Sequence, residues 1–368
     1  MKFSSDKKHD TCVLGDQCNI NKKTIGLTIN DILQNQIQSN IPLKNQSSLV
    51  ITSIALTMIM FLCGFINGIF SLLTFQNEAT RKVGCGMYLF ASSITTLLTS
   101  TMFTVKFWFV VLIQLYSTVN LAIHRADCLF IGPFLKLCLY LDGWLNACVA
   151  IERTINVFKG VGFNKERSKR IARRVITILP ILIFVTIIHE PVNYSWISYD
   201  IPKYKFVMGN SIEHDNAKNG SFVYTTEYRV LCIIRYSRSV QTYNTFMLFF
   251  HLVAPFVANL LSALYIIFGT AGQRSVARSK LNYRQYVLKQ MQEHRQLLIS
   301  PIILLVLALP RIIISLISEC VDPSSNPWLY LIGYFISFMP PILTFIVFVL
   351  PSKLYRKIFK EAMMKFRK

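Results

Sequence analysis

Several ionisable residues lie inside or directly beside long apolar runs of the chain, among them Lys136, Asp142, Glu152, Arg153 and Arg311. Charged groups are costly in hydrocarbon, so such residues usually face a cavity or a partner and mark functional positions. The six histidines are scattered, and the sequence contains no zinc-binding or phosphate-binding motif. We therefore expect a protein that binds a ligand and changes conformation, without enzyme activity, a metal or a cofactor.

Long hydrophobic helices must position these residues. Hydrophobic residues make up 53% of the 368-residue chain and charged residues only 15%. A membrane-spanning helix needs about 20 apolar residues. Seven such runs are present, which predicts an all-α membrane protein with a seven-transmembrane helix bundle rather than a soluble helical core. The spans are expected at about 50–75, 86–111, 129–152, 173–190, 242–268, 297–319 and 328–350.

The distribution of charge predicts which chain end lies outside. If the N-terminus is extracellular, 23 of the 39 lysines and arginines but only five of the 18 acids lie on the cytoplasmic side. Cytoplasmic segments of membrane proteins carry such an excess. The glycosylation sequons at Asn45, Asn193 and Asn219 then all lie outside. The net charge of +21 is thus a topology signal, and we expect no nucleic-acid partner.

The spans divide the chain into three parts. Residues 1–48 are polar and predict a disordered extracellular tail, residues 49–351 form the transmembrane domain, and residues 352–368 follow it. In the last part, apolar residues recur on one helical face among lysines, which predicts an amphipathic helix on the lipid of the inner leaflet. The long polar loop at about 191–241 is expected to fold over the outer mouth.

Five of the nine cysteines lie in segments predicted to be outside the cell, where disulfides form: Cys12, Cys18, Cys128, Cys232 and Cys320. A bond between Cys128 and Cys232 would tie the long outer loop to the start of span three. The pairing of the other three cysteines stays open.

The spacing of these features resembles a known family. Cys128 precedes Arg153 by 25 residues, and Glu152 and Arg153 close span three. With Gly64 and Asn67 in span one, this pattern resembles the rhodopsin-like (class A) G-protein-coupled receptors, in a divergent invertebrate-type orphan or chemosensory branch. The resemblance covers residues from about 50 to 366. It implies the Cys128–Cys232 disulfide, and it implies helix kinks at the span prolines Pro255, Pro310 and Pro341.

The resemblance also implies a function for the charged residues. Glu152, Arg153 and Thr154 would form a coupling switch, in which the arginine pairs with its neighbouring acid at rest. On activation the arginine would be freed to face a heterotrimeric G protein. The protein would then be a receptor of the plasma membrane that binds an extracellular ligand.

The candidate ligand pocket contains Lys136, Arg311 and Leu135. Two cations, with leucine at the position where amine receptors have an acid, favour a peptide or a small molecule with an acidic group. The alternative for Lys136 and Arg311 is snorkelling or a purely structural pairing. Deeper in the bundle, Asp142 is expected near Thr96 and Asn67. Asp142 is there either the carboxylate of a buried ion site or a hydrogen-bonded or protonated acid.

The sequence departs from the family at several positions. Thr96 replaces the aspartate usual in span two, and the sequence PPILT replaces the NPxxY motif of span seven. These departures leave an alternative function open, a seven-helix channel or transporter. No internal repeat of the kind found in many transporters is present.

Overall fold

The structure is a computed structural model. It describes residues 4–5, 12–14, 20–21, 29–33, 36–38, 41–116, 127–207, 221–234, 237–277 and 326–366, with six isolated positions between 303 and 313. The helices in chain order are α1 Ile29–Leu33, α2 Ser48–Phe75, α3 Gly84–Leu115, α4 Gly132–Lys159, α5 Lys165–Ile187, α6 His189–Val192, α7 Arg238–Ala277, α8 Pro327–Ile336, α9 Met339–Ile342 and α10 Lys353–Phe366. The strands are β1 Ser4–Ser5, β2 Cys12–Leu14, β3 Ile20–Asn21, β4 Tyr194–Val207 and β5 Ser221–Ile234.

Within the described part of the chain, five helices are long and apolar enough to cross a membrane, as a helical membrane protein requires. They cover Ser48–Phe75, Gly84–Leu115, Leu129–Lys159, Lys165–Val192 and Arg238–Ile266, which correspond to the first five predicted spans. Each helix extends beyond the apolar run predicted for it on at least one side. The fourth begins as early as Lys165, because Asn164 accepts a hydrogen bond from the Arg167 backbone N–H (2.9 Å) and caps its first turn.

The structure describes little of the sixth predicted span and shows the seventh as an interrupted helix. The predicted sixth span, 297–319, lies outside the described residues apart from isolated positions. The predicted seventh span, 328–350, consists of α8, α9 and a π-helical turn at Phe345–Val349. Pro340 and Pro341 explain the interruption, because neither has a backbone N–H and each ring displaces the preceding turn.

The core of the bundle is built around α3 and α4. Helix α3 packs against α2 and α4, α4 also packs against α7, and α5 lies against α3 and α4. Glycines let α2 approach α3 closely: a Cβ atom at Gly64 would lie 2.9 Å from the Cβ of Ser100. Small residues at such contacts are how transmembrane helices gain van der Waals packing without a hydrophobic driving force.

The C-terminal helix α10 is amphipathic, as the spacing predicts. Ile358 is buried, and the ring of Phe359 lies 5.3 Å from that of Phe70 in α2. Leu354 on the same helix is 63% exposed. One edge of α10 is therefore anchored on the bundle, and apolar side chains remain available to lipid.

The N-terminal region is more ordered than its polar composition predicts. Ile29, Ile32, Leu33 and Ile37 are each at most 3% exposed, and they belong to the same apolar cluster as Phe107 of α3 and Leu331 of α8. The buried Gln46 amide donates hydrogen bonds to the carbonyl oxygens of Gln38 (2.7 Å) and Ile41 (3.0 Å). Helix α1 therefore packs between α3 and α8, and the expected disorder does not extend to it.

Replacing Leu33 by alanine is expected to destabilise the protein by about 2–5 kcal/mol, because a fully buried side chain would leave a cavity. The melting temperature of the detergent-solubilised protein measures this loss. Leu43→Ala is the matched control, since Leu43 is 36% exposed in the same segment. Equal melting temperatures for the two variants would show that α1 does not pack in this way.

Candidate functional site

At one end of the bundle, the carboxylate of Glu152 lies against the first turn of α3. Its Oε1 atom accepts a hydrogen bond from the Ser168 hydroxyl of α5, and Ser168 Oγ in turn accepts from the Gly84 backbone N–H (3.0 Å). A Cβ atom at Gly84 would lie 2.6 Å from Glu152 Oε2, so only glycine leaves room for the acid. The positive end of the α3 dipole stabilises the carboxylate there.

The guanidinium of Arg153 has a separate set of partners. Its Nε–H donates to the Cys85 sulfur (3.5 Å), and its central carbon lies 5.6 Å from the centre of the Phe348 ring. The Tyr355 phenol of α10 lies beside it. Burial raises the pKa of that phenol above its ordinary value, so the group is uncharged at neutral pH. Arg153 is therefore enclosed by the start of α3, the end of the predicted seventh span and α10.

The expected resting pair between Glu152 and Arg153 is not formed in this structure. Neighbouring residues of an α-helix point about 100° apart. The acid therefore faces α3 and α5, while the arginine faces α10. Among the described residues, the ion pairs are Lys106–Asp127 and Lys136–Glu190.

Thr154, the third residue of the predicted switch, joins two helices. Its hydroxyl lies 2.9 Å from the Ala150 carbonyl oxygen in its own helix and 3.2 Å from the Ser262 carbonyl oxygen of α7. The three consecutive residues thus join α4 to the start of α3, to α5, to α7 and to the end of the predicted seventh span. A movement of α7 or α10 relative to α4 would change the contacts of this cluster.

In the middle of the bundle, Asp142 is 2% exposed and is surrounded by donors. Its Oδ1 atom accepts from the hydroxyls of Ser92 (2.6 Å) and Thr95 (3.4 Å), both on α3. Its Oδ2 atom accepts from the Asn146 side-chain amide (3.2 Å). The Asp142 carboxylate of α4 therefore reaches across to α3.

The other two residues of the predicted central cluster lie apart from Asp142. The Thr96 hydroxyl lies 3.1 Å from the Pro341 carbonyl oxygen and 3.3 Å from the Thr344 hydroxyl, so it joins α3 to the predicted seventh span. Asn67 is half-buried on α2. It is not among the described hydrogen-bond partners of Asp142 or Thr96. The hydrogen bonds of Asp142 and of Thr96 therefore belong to two separate groups.

A cavity of about 100 Å³ lies beside Asp142, among residues of α4, α7 and the predicted seventh span. Its polar lining includes Asp142, Asn146, Asn259, His251 and Ser337. The Oδ1 atom of Asn146 is buried and has no partner among the described atoms. This lining can hydrogen-bond a small polar group or a water molecule.

His251 is held by contacts from two neighbouring helices. Its Nδ1 atom accepts from the Trp144 indole N–H (3.0 Å), and its Nε2 atom lies 2.8 Å from the Thr186 hydroxyl oxygen. The Thr186 hydroxyl donates to the Ile183 carbonyl oxygen (2.6 Å), so its oxygen is free to accept from Nε2–H. These contacts fit the neutral imidazole with its proton on Nε2. The Tyr140 ring stacks on this imidazole at 4.6 Å.

At the other end of the bundle, the predicted pocket residue Lys136 is already paired. Its ammonium lies 2.6 Å from Glu190 Oε1, and the glutamate side chain is 4% exposed. The sequence left a ligand contact and a purely structural pairing of Lys136 both open but could not name the partner, because Glu190 lies 54 positions away. Leu135 is 5% exposed and packs in the apolar core, and it is not among the residues that line the cavity beside Asp142.

A second ion pair lies nearby. The Lys106 ammonium of α3 is 2.6 Å from Asp127 Oδ2, and both side chains are at most 11% exposed. Asp127 Oδ1 is buried and has no partner among the described atoms. A signal for this pair exists in the sequence: Lys106 interrupts an apolar run, and Asp127 is the only acid between Lys106 and Cys128.

The remaining predicted site residues are placed as follows. Asn45 is exposed, whereas the Asn193 amide donates to the His189 carbonyl oxygen (2.7 Å) and is half-buried. Pro255 lines the cavity, Pro341 is buried and Pro310 is half-buried. The backbone of Cys232 pairs with Trp196 in the β4–β5 hairpin. The side chains of Cys128 and Cys232 lie outside the described part, as do Arg311 and Asn219, so the predicted disulfide stays a prediction.

Comparison with protein-family models gives no match, and a search of curated proteins gives none either.

Proposed function

We propose that the chain is a seven-helix receptor of the plasma membrane that binds an extracellular ligand and activates a heterotrimeric G protein. One observation carries the proposal. Adjacent residues of opposite charge, Glu152 and Arg153, lie at one end of α4 and both contact the first turn of α3, but Glu152 is bound by Ser168 of α5 whereas Arg153 is covered by Phe348 of the predicted seventh span. When a helix moves, such an arrangement can expose the Arg153 guanidinium while the Glu152 carboxylate stays in place.

In the proposed mechanism, Glu152 is the fixed element and Arg153 the mobile one. Glu152 is held at the start of α3 through Ser168. Arg153 is covered by Phe348 and Tyr355 at the end of the predicted seventh span and in α10. An outward shift of these segments uncovers the guanidinium for the G protein. A ligand that binds the open conformation more tightly shifts the population towards it.

The ligand enters from the extracellular side. Lys136 forms an ion pair with Glu190, so an acidic ligand would have to compete with the glutamate for the ammonium. Recognition of a ligand carboxylate would then depend on Arg311, which lies outside the described residues. A peptide with both acidic and basic groups suits the paired site better than a simple acid, because it can engage Lys136 and Glu190 together.

Arg153→Ala tests the proposal. In cells that carry reporters for each class of heterotrimeric G protein, the wild-type chain should promote G-protein dissociation in proportion to its surface density. At least one compound in a library of peptides and acidic small molecules should increase this activity. The alanine variant should promote G-protein dissociation at least about tenfold less, equivalent to about 1.4 kcal/mol, since a charged contact is removed.

Lys159→Ala is the matched control. It also removes one positive charge near the same end of α4, but Lys159 is exposed at the last helical position. The control should signal like the wild type at equal surface density. Unchanged signalling by Arg153→Ala, or a transmembrane current that persists without G protein, would favour a channel or transporter and contradict the proposal.

A further inference from the structure

The first ten residues of α5 form the most basic segment of any described helix. They contain six basic residues and one acid: Lys165, Glu166, Arg167, Lys169, Arg170, Arg173 and Arg174. Helix α5 is also peripheral. Only 17% of its membrane-length window is buried, against 33% to 44% in the other four apolar helices. Much of its surface therefore faces the membrane rather than the protein.

Three of the arginines lie on the side of α5 that faces away from the bundle. Arg167, Arg170 and Arg174 are exposed, and their spacing of three and four residues places them on one helical face. The same face continues through Ile178, Ile181 and Val185, which are 50%, 60% and 59% exposed. The opposite face is buried, with Ala172 at 0%, Ile183 at 1% and Ile187 at 3%.

The uncharged run of α5 begins at Val175, directly after Arg174. At about 1.5 Å per residue, Arg170 and Arg167 lie about 6 Å and 10 Å further along the axis than Arg174. The headgroup layer beyond the hydrocarbon is about 5–8 Å thick on each side. Arg174 and Arg170 thus lie at headgroup depth on the lipid side, with Arg167 at its outer edge.

We propose that Arg167, Arg170 and Arg174 bind a phospholipid whose inositol headgroup carries several phosphates, with its acyl chains along Ile178, Ile181 and Val185. A guanidinium presents five N–H donors in a fork that matches phosphate oxygens, whereas an ammonium acts as a point charge. All three basic residues at the centre of the membrane face are arginines. Three guanidinium groups spread over about 10 Å of the helix axis suit a headgroup with several phosphates better than a headgroup with one phosphate.

Lipid binding at this site requires that α5 enters the membrane from the cytoplasmic side, where anionic lipids are concentrated. It is independent of receptor function. A purely general attraction of basic residues to an anionic surface makes a different prediction: any three exposed lysines or arginines near that surface would contribute equally. The terminal helix α10 offers the comparison, since Lys357, Lys360 and Lys365 are exposed on it.

The experiment titrates the purified full-length chain in detergent with phosphatidylinositol bisphosphate and counts bound lipid by native mass spectrometry. Phosphatidylserine at equal headgroup charge is the comparison lipid. The combined substitution Arg167→Gln, Arg170→Gln and Arg174→Gln should weaken the Kd for phosphatidylinositol bisphosphate at least about tenfold. The combined substitution Lys357→Gln, Lys360→Gln and Lys365→Gln removes the same charge and should change it less than about twofold.

A third variant, with lysine at all three arginine positions, keeps the charge and removes the guanidinium forks. It should bind the bisphosphate lipid more weakly than the wild type at the same melting temperature. Equal weakening by the α5 and α10 glutamine variants would overturn the proposal. It would also be overturned by wild-type affinity in the lysine variant, or by equal wild-type affinity for phosphatidylserine.

Discussion

Asp127→Ala is expected to destabilise the protein by about 3–5 kcal/mol, the usual result of removing one partner of a buried ion pair. The side chains of Lys106 and Asp127 are 11% and 4% exposed, and their charged atoms lie 2.6 Å apart. Without the aspartate, the ammonium would remain buried without its counter-ion on α3. A drop in the melting temperature and in surface expression would report the loss.

A second variant distinguishes the loss of stability caused by breaking the ion pair from that caused by any substitution at Asp127. The double substitution Lys106→Met with Asp127→Leu removes both charges and fills a similar volume, so it should recover most of the lost stability. Glu78→Ala removes an exposed carboxylate from the loop between α2 and α3 and should have little effect. If Asp127→Ala and Glu78→Ala melt at the same temperature, the buried pair does not stabilise this end of the bundle.

Asp142→Leu is expected to have the next largest effect, a loss of about 2–6 kcal/mol. The substitution leaves two donors without an acceptor, the Ser92 hydroxyl and the Asn146 amide, each at a cost of about 1–3 kcal/mol. Thr95 should contribute little, because its hydroxyl lies closer to the Ser92 carbonyl oxygen (2.9 Å) than to Asp142 (3.4 Å).

Asp142→Asn provides the matched comparison. An asparagine keeps the shape of the side chain and one acceptor oxygen, so it should lose less stability than the leucine variant. Thermal unfolding of both variants in the same detergent measures the difference. A leucine variant at least as stable as the asparagine variant would show that the hydrogen bonds to Asp142 do not hold α3 and α4 together.

The sequence predicted those features that depend on residues close together in the chain. Long apolar runs located five helices of membrane-spanning length, because burying a backbone in hydrocarbon requires about 20 apolar residues in a helix. The amphipathic spacing after Ser352 predicted α10. Ile29, Ile32, Leu33 and Ile37 also recur at helical spacing, so the signal for the packed N-terminal helix was present although the polar composition of the region outweighed it.

The sequence could not predict contacts that depend on how helices are rotated against one another. Glu152 was expected to pair with Arg153, its neighbour in sequence, yet its hydrogen-bond partner is Ser168 on α5. Lys136 was expected either to face a ligand or to form a structural pair, and only the structure identifies its partner as Glu190 beyond the end of α5. Spacing within one helix fixes which residues share a face, but the partner of that face is set by packing between helices.

The topology of the two chain ends tests the central claim most directly. That claim places Glu152 and Arg153 at the cytoplasmic end of α4, in a chain that crosses the membrane seven times. With one epitope tag before Met1 and another after Lys368, antibody labelling of intact cells should detect only the N-terminal tag. The C-terminal tag should become visible only after permeabilisation. Labelling of both tags on intact cells, or of the C-terminal tag alone, would contradict the account, because Arg153 could not then face a cytosolic G protein from a seven-helix bundle.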